Sequence, residues 1–154
     1  MQYWLFKSEP SCFGIDDLSA AVKRTTHWDG VRNYQVRNFL QNAIQPKDLA
    51  FFYHSNAKPS GVVGVMEIIS PGYPDHTAWD PHSDHYDPKS TEQEPRWYMV
   101  DVKFKEKFPR MVDLAEIKQH PILQRMSVAQ TGSRLSITPV TAKEWTIITD
   151  LAHQ

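Results

Sequence analysis

The sequence holds a single cysteine, Cys12, so no internal disulfide can form. That composition fits a reducing cytosol, where the protein is expected to reside. No run of apolar residues is long enough to cross a bilayer, and no membrane partner is expected. The N-terminus shows no charged segment leading into an apolar core and cleavage site, so no secretory signal is read. Positive charge is not in surplus either: 17 Lys and Arg against 18 Asp and Glu leave a formal charge of −1. A protein that grips long nucleic acid mainly by neutralising phosphates needs more basic charge than this. A pocket for one base does not. No glycine-rich phosphate loop is present. Ser127, Ser133 and Ser136 lack a Gly-x-Ser-x-Gly elbow, so a hydrolase triad is unsupported. Cys12 sits in Ser-Cys-Phe-Gly and reads as an ordinary small residue rather than a nucleophile. No cofactor is expected.

What is present is a set of aromatic rings beside short polar side chains. Five stretches carry them: Tyr3 to Pro10 (YWLFKSEP), Trp28 to Tyr34 (WDGVRNY), Phe52 to Asn56 (FYHSN), Tyr73 to Asp80 (YPDHTAWD) and Pro95 to Tyr98 (PRWY). A flat heterocycle needs rings to stack on and amide, hydroxyl or carboxyl groups to recognise its edge. The pattern points to a reader of a planar ligand, a nucleobase above all.

With 154 residues and 40% hydrophobic content, the chain suffices for one compact domain spanning 1–154. Residues 2–7 alternate with apolar side chains on both faces, Tyr3 and Leu5 against Trp4 and Phe6, which predicts a central strand. Residues 16–23 read as a short helix with acidic residues in its first turn. Val36, Phe39, Leu40, Ala43 and Ile44 form one apolar stripe of a helix over 33–44, ended by Pro46. Residues 48–54 and 61–69 read as strands of a hairpin with a loop of four or more residues. Residues 70–95, rich in proline, histidine and acids, read as a long irregular loop that its aromatics keep ordered. A strand follows over 96–104, then one or two short helices over 114–126 broken at Pro121, and a short strand at 136–139. Thr141 and Glu144 have capping-box spacing at the head of a last helix over 141–151, with Trp145, Ile148 and Leu151 toward the core. Strands without regular βαβ alternation suggest an α+β fold: a small, strongly bent sheet or barrel with peripheral helices.

The blocks YWLFKSEP, WDGVRNYQ, FYHSN, YDPKS and PRWYMVDV, at residues 3–10, 28–35, 52–56, 86–90 and 95–102, closely resemble the EVE domain. The resemblance runs from about residue 2 to about residue 150. It implies a PUA-like fold, a small β-barrel of about five or six strands with peripheral helices, similar in architecture to the YTH reader of methylated adenine in RNA. It also implies a non-enzymatic domain that binds a modified base of DNA or RNA, a modified cytosine or another methylated base, in an aromatic pocket. A partner nuclease acting downstream stays an open expectation.

By that resemblance Trp28 matches one wall of the cage, although a buried tryptophan is also ordinary core. Gly30 would let the backbone approach a ligand. Trp79 is the candidate second wall, against a reading as loop anchor. One such wall contributes roughly 1–3 kcal/mol. Trp4, Trp97 and Trp145, with Phe6 and Tyr98, read as core. Ser8 and Asn56 are the candidate edge readers, against readings as a turn hydroxyl and a turn asparagine. Ser55, Asn33 and Tyr34 are companions, Asn33 doubling as a helix cap. Asp80 is a candidate acceptor for an exocyclic amine. Lys7, Arg32, Arg37 and Lys89 are candidate phosphate contacts, against simple solvation.

The cluster His76, Asp80, His82, Asp84, His85 and Asp87 admits a metal reading. No His-x-x-x-His or cysteine pair sets a geometry, so a solvated polar loop is the favoured reading. Two alternatives remain: a metal-dependent nucleotide hydrolase built on residues 76–87, and a protein-interaction module.

Overall fold

The computed structural model describes residues 1–154. Its order begins with β1 (Tyr3–Ser8), α1 (Ile15–Ala20), β2 (Thr25–His27), α2 (Tyr34–Asn38), β3 (Leu49–His54) and β4 (Gly61–Ile68). It continues with β5 (Tyr73–Pro74), β6 (Tyr98–Met99), β7 (Asp101–Asp113), α3 (Leu114–Gln119), β8 (Ile137–Val140) and α4 (Ala142–Ala152). Six strands form one curled half-barrel sheet in the order β2-β7-β4-β3-β1-β8, while β5 and β6 pair separately. The α+β barrel expected from the sequence is thus observed.

β1 is interior, parallel to β3 and antiparallel to β8. Its two-sided apolar pattern explains why. Trp4 and Phe6 enter one core cluster with Phe52, Trp28, Val36 and Leu40. Leu5 enters a second with Phe51, Phe108, Ile117 and Ile148. Each fully buried aliphatic or aromatic side chain of this kind contributes about 1.5–3 kcal/mol over an exposed one. The first cluster carries α2 on its side of the sheet, the second carries α3 and α4.

Local chemistry sets the element ends. At α4 the Glu144 amide donates to Thr141 Oγ1 at 3.1 Å, and the Thr141 amide donates to Glu144 Oε1 at 2.9 Å. This is the reciprocal capping box the spacing predicts. Ile148 and Ala152 of α4 are buried, and the Trp145 ring stacks on Phe51 at 3.9 Å and on Tyr3 at 4.5 Å.

The helix expected over 33–44 is two pieces: α2 and a π turn at Phe39–Ala43. The helix expected over 16–23 stops at Ala20. Beyond it Lys23 and Arg24 adopt positive φ and Val22 is 85% exposed, so the apolar stripe has run out. β7 runs nine residues past the expected end at Phe104. Pro109 hid this extension, because proline is excluded from regular ladders. Pairing with β4 jumps from Val62 opposite Val112 to Gly64 opposite Lys107, so Pro109 lies in the bulged stretch between them, where no ladder donor is required.

The segment 70–95 is mostly turns, as expected, but it is tied down. Asp75 is wholly buried. It accepts from the Gly30 amide (2.8 Å), Arg32 Nη1 (3.1 Å), the Thr77 amide (2.9 Å) and the Thr77 hydroxyl (2.5 Å). Burial alone would raise its pKa, but the Thr77 hydroxyl, the Gly30 amide, Arg32 and the Thr77 amide together bring the carboxyl below its ordinary value. Further on, Trp97 Nε1 donates to Asp87 Oδ2 at 2.7 Å and the Arg96 amide to Ser90 Oγ at 3.0 Å.

Candidate functional site

The most pronounced concavity is a cleft of about 400 Å³ lined by Lys7, Ser8, Cys12, Phe13, Thr26, His27, Trp28, Asp29 and His85. Three parts of the chain meet there: the end of β1 with the turn after it, the end of β2, and the tied-down segment 70–95. The volume lies near the lower end of the range for small-ligand sites, about 300–1,000 Å³.

Trp28 lines this cleft. Its ring is held edge-on by Phe6 at 5.3 Å, Phe52 at 5.5 Å and Phe13 at 6.4 Å, the arrangement that aromatic quadrupoles favour. Its backbone amide donates to Val100 at 2.8 Å. Trp4 and Trp97 give their indole N–H groups to Asp48 and Asp87. Trp28 has no such acceptor. No side-chain nitrogen or oxygen in the protein is both fully buried and unpartnered, so the Trp28 N–H is not sealed from solvent, and the residue lines the cleft.

His85 borders the cleft from the opposite element. Gly30 has φ +80°, and a Cβ built on it would fall 2.6 Å from the His85 ring. The freedom of Gly30 therefore serves close approach, and within the protein the approaching group is an imidazole. Arg32 fixes the same segment by donating to the His85 carbonyl through Nη2 at 2.5 Å and Nε at 3.2 Å. Asp29 lies 3.6 Å from His27 Nε2. Lys7 is half-buried, and that burial lowers its pKa.

The structure brings Lys7, Ser8 and Trp28 together. The Ser8 hydroxyl donates to the Phe13 carbonyl at 2.6 Å, so it fills the turn role and leaves its oxygen as an acceptor on the cleft. The other candidates lie elsewhere. Asn56 is exposed, has φ +50°, and its amide donates to Glu9 Oε1 at 2.6 Å. Asn33 caps α2, accepting from the Val36 amide at 3.1 Å. Tyr34 is 51% exposed and stacks on Trp97 at 4.8 Å. The Ser55 amide donates to the Ser8 carbonyl at 3.0 Å. Trp79 is half-buried at the end of a 3₁₀ turn and does not line the cleft. Asp80 is exposed and accepts from the His82 amide at 2.9 Å.

Among the basic candidates, Arg37 sits over the Tyr34 ring at 5.0 Å and donates to the Arg96 carbonyl at 2.9 Å. Arg32 is paired with Asp75, and Lys89 is exposed. Lining residues not expected in the pocket from the sequence are Cys12, Phe13, Thr26, His27, Asp29 and His85. The one available signal was Gly30, which marked a close approach without saying to what. No three His, Cys, Asp or Glu side chains converge as a metal site would require, so the histidines of residues 76–87 do not form a cluster.

Comparison with known proteins places this geometry. Residues 2–151 match the family model described as the EVE domain. Thymocyte nuclear protein 1 of Homo sapiens is 44% identical over 168 residues, spanning 99% of this chain and 74% of the human protein. An uncharacterized protein of Schizosaccharomyces pombe is 39% identical, over 99% of this chain and 69% of its own length. The crystal structure of human THYN1 protein in complex with 5-methylcytosine-containing DNA superposes with a TM-score of 0.93 at 43% identity, covering 100% of this chain and 99% of that one. A crystal structure of a Pseudomonas syringae protein gives a TM-score of 0.92 at 43% identity, covering 97% and 99% of the two chains.

Proposed function

This chain belongs to the EVE domain family, and from that premise we propose that it is a non-enzymatic DNA-binding domain that reads a modified cytosine. The observation that carries the reading is the whole-chain likeness to human THYN1 protein, whose crystal structure holds 5-methylcytosine-containing DNA. The cleft at Trp28 is the site for the base. A base inside a duplex has to be turned out of the stack, at a cost of a few kcal/mol, before it can enter such a pocket. Stacking on an aromatic side chain returns roughly 1–3 kcal/mol. The remainder falls to edge contacts, for which the cleft offers the Trp28 indole N–H as a donor and the Ser8 oxygen as an acceptor. The His85 imidazole, resting against Gly30, is the flat group available to close the pocket from the other side.

A near-neutral net charge leaves little general attraction for unmodified duplex. Selectivity then rests on the pocket. The test is titration of the protein with duplexes that carry one 5-methylcytosine or none, alongside matched RNA strands. The expected outcome is tighter binding to the methylated duplex, with Trp28→Ala reducing that affinity by about tenfold or more. Equal affinity for both duplexes, or a Trp28→Ala variant that is folded and binds as before, would sink the assignment. Preference for a modified RNA strand would move the ligand class from DNA to RNA.

A further inference from the structure

Resting on that reading, we propose that Lys7 is the cleft's oxyanion contact and holds a backbone phosphate of the nucleotide whose base enters the pocket. Four basic side chains are candidates for this role from the sequence, and the structure divides them. Arg32 has all three of its nitrogens committed, through four hydrogen bonds: Nη1 to Asp75 and to the Val31 carbonyl, Nη2 and Nε to the His85 carbonyl. Arg37 donates to Asn38 Oδ1 and the Arg96 carbonyl. Arg32 thus fastens the segment 70–95, and Arg37 the chain at Arg96 just before β6, to the region of α2. Lys89 is exposed and lies outside the cleft.

Lys7 differs from all three. It lines the cleft beside Ser8 and Trp28, is half-buried, and takes part in none of the protein's ion pairs. The carboxylate that shares the cleft, Asp29, lies against His27 instead. An ammonium drawn out of water without a counter-charge is held at a cost, which is the reason its pKa falls. A ligand oxyanion placed against it recovers that cost, because the desolvation has already been met in the free protein. Phosphate contacts position a nucleic acid but carry no base identity. Lys7 therefore sets affinity and register, while Trp28 and Ser8 set selectivity.

Two sources of oxyanion chemistry are separable: the backbone phosphate and an acceptor group on the base itself. The experiment measures affinity for methylated and unmethylated duplexes across salt concentrations, using the wild type, Lys7→Met, Lys7→Gln and Lys7→Arg. Each phosphate contact contributes about 0.9 to the slope of log affinity against log salt for duplex, or about 0.7 for single strands. The expected result is a slope smaller by about that amount in Lys7→Met and Lys7→Gln, wild-type slope in Lys7→Arg, and an unchanged ratio of methylated to unmethylated affinity. An unchanged slope in both neutral variants overturns the proposal. So does a fallen ratio with an unchanged slope, which would make Lys7 a reader of the base. Failure of the base-reading function has a separate signature, a wild-type ratio near one. Should Lys7→Met not fold, Lys7→Gln, which keeps a polar side chain, carries the test alone.

Discussion

Trp4 and Trp28 are nearly equal in burial, at 2% and 8% exposure, and belong to the same core cluster. They differ in what happens to the indole N–H. The Trp4 group is given to Asp48 at 3.0 Å, and the same buried carboxylate also accepts from the amides of Gln2 and Gln45. The Trp28 group has no protein acceptor, and its residue lines the cleft. Burial alone therefore does not separate a core tryptophan from a site tryptophan. The hydrogen-bond inventory does: one ring is closed on itself within the fold, the other is left with a donor to give.

The contrast can be broken most sharply at Asp48. Asp48→Ala strands three donors at a site 2% exposed. The stranded buried Trp4 N–H costs about 1–3 kcal/mol and the part-buried amides of Gln2 and Gln45 add less, so urea unfolding should show a loss on the order of 2–3 kcal/mol. A loss under about 1 kcal/mol would show that the carboxylate is dispensable and the contrast with Trp28 overstated. The paired ring substitutions then sharpen it. Trp4→Phe removes a satisfied N–H and should lower stability by about 1–3 kcal/mol while leaving DNA affinity alone. Trp28→Phe should do the reverse, weakening binding to the methylated duplex several-fold with the smaller stability loss. Equal effects on both measurements would mean that the two tryptophans do the same job.

A second buried carboxylate tests the border of the cleft. Asp75 holds Gly30 and Arg32, and so the segment that bears His85. Its folded pKa is lowered, so its contribution to stability is complete above the unfolded value of about 3.9 and is lost as pH falls through the folded value. Unfolding free energy should drop on acidification below about pH 4, and Arg32→Met should flatten that dependence. Parallel acid profiles for the two proteins would argue against a role for Arg32.

The smallest effect belongs to a pair far from the site. His153 donates from Nδ1 to the Thr149 carbonyl and pairs with Glu106, linking the end of α4 to β7. The Thr149 carbonyl first, and Glu106 next, raise its pKa. With a raised folded pKa, its stabilisation is complete below the unfolded value of about 6.5 and is lost as pH rises through the folded one. The melting temperature of the wild type should therefore decline slightly from pH 6 to 8, and His153→Gln should remove that decline without touching DNA affinity.

Much of the fold was written in local pattern. Alternation on both faces of β1 follows from period two and a buried strand, and the structure puts Trp4 with Phe6 and Leu5 with Phe51 accordingly. The Thr141–Glu144 capping box depends on residues three apart, so the spacing sufficed. The missed extension of β7 and the split of the expected 33–44 helix have the opposite cause. A bulge around Pro109 and a π turn at Phe39–Ala43 are settled by pairing and packing against distant residues.

The site divides along the same line. Lys7, Ser8 and Trp28 were named with the help of the family resemblance, and the structure sets them together on the cleft, each at or next to the end of a strand. Asn56 and Trp79, named in the same way, sit in turns: Asn56 is given to Glu9 and Trp79 does not line the cleft. His85 shows the reverse case: nothing within its own loop points to Trp28. It reaches the cleft because Asp75 and Arg32, far apart in sequence, pin its segment over Gly30. By itself the sequence determined an aromatic, near-neutral α+β chain of the EVE type. Only the tertiary structure decided which rings are closed within the core and which line the cleft, because that depends on partners supplied from across the fold.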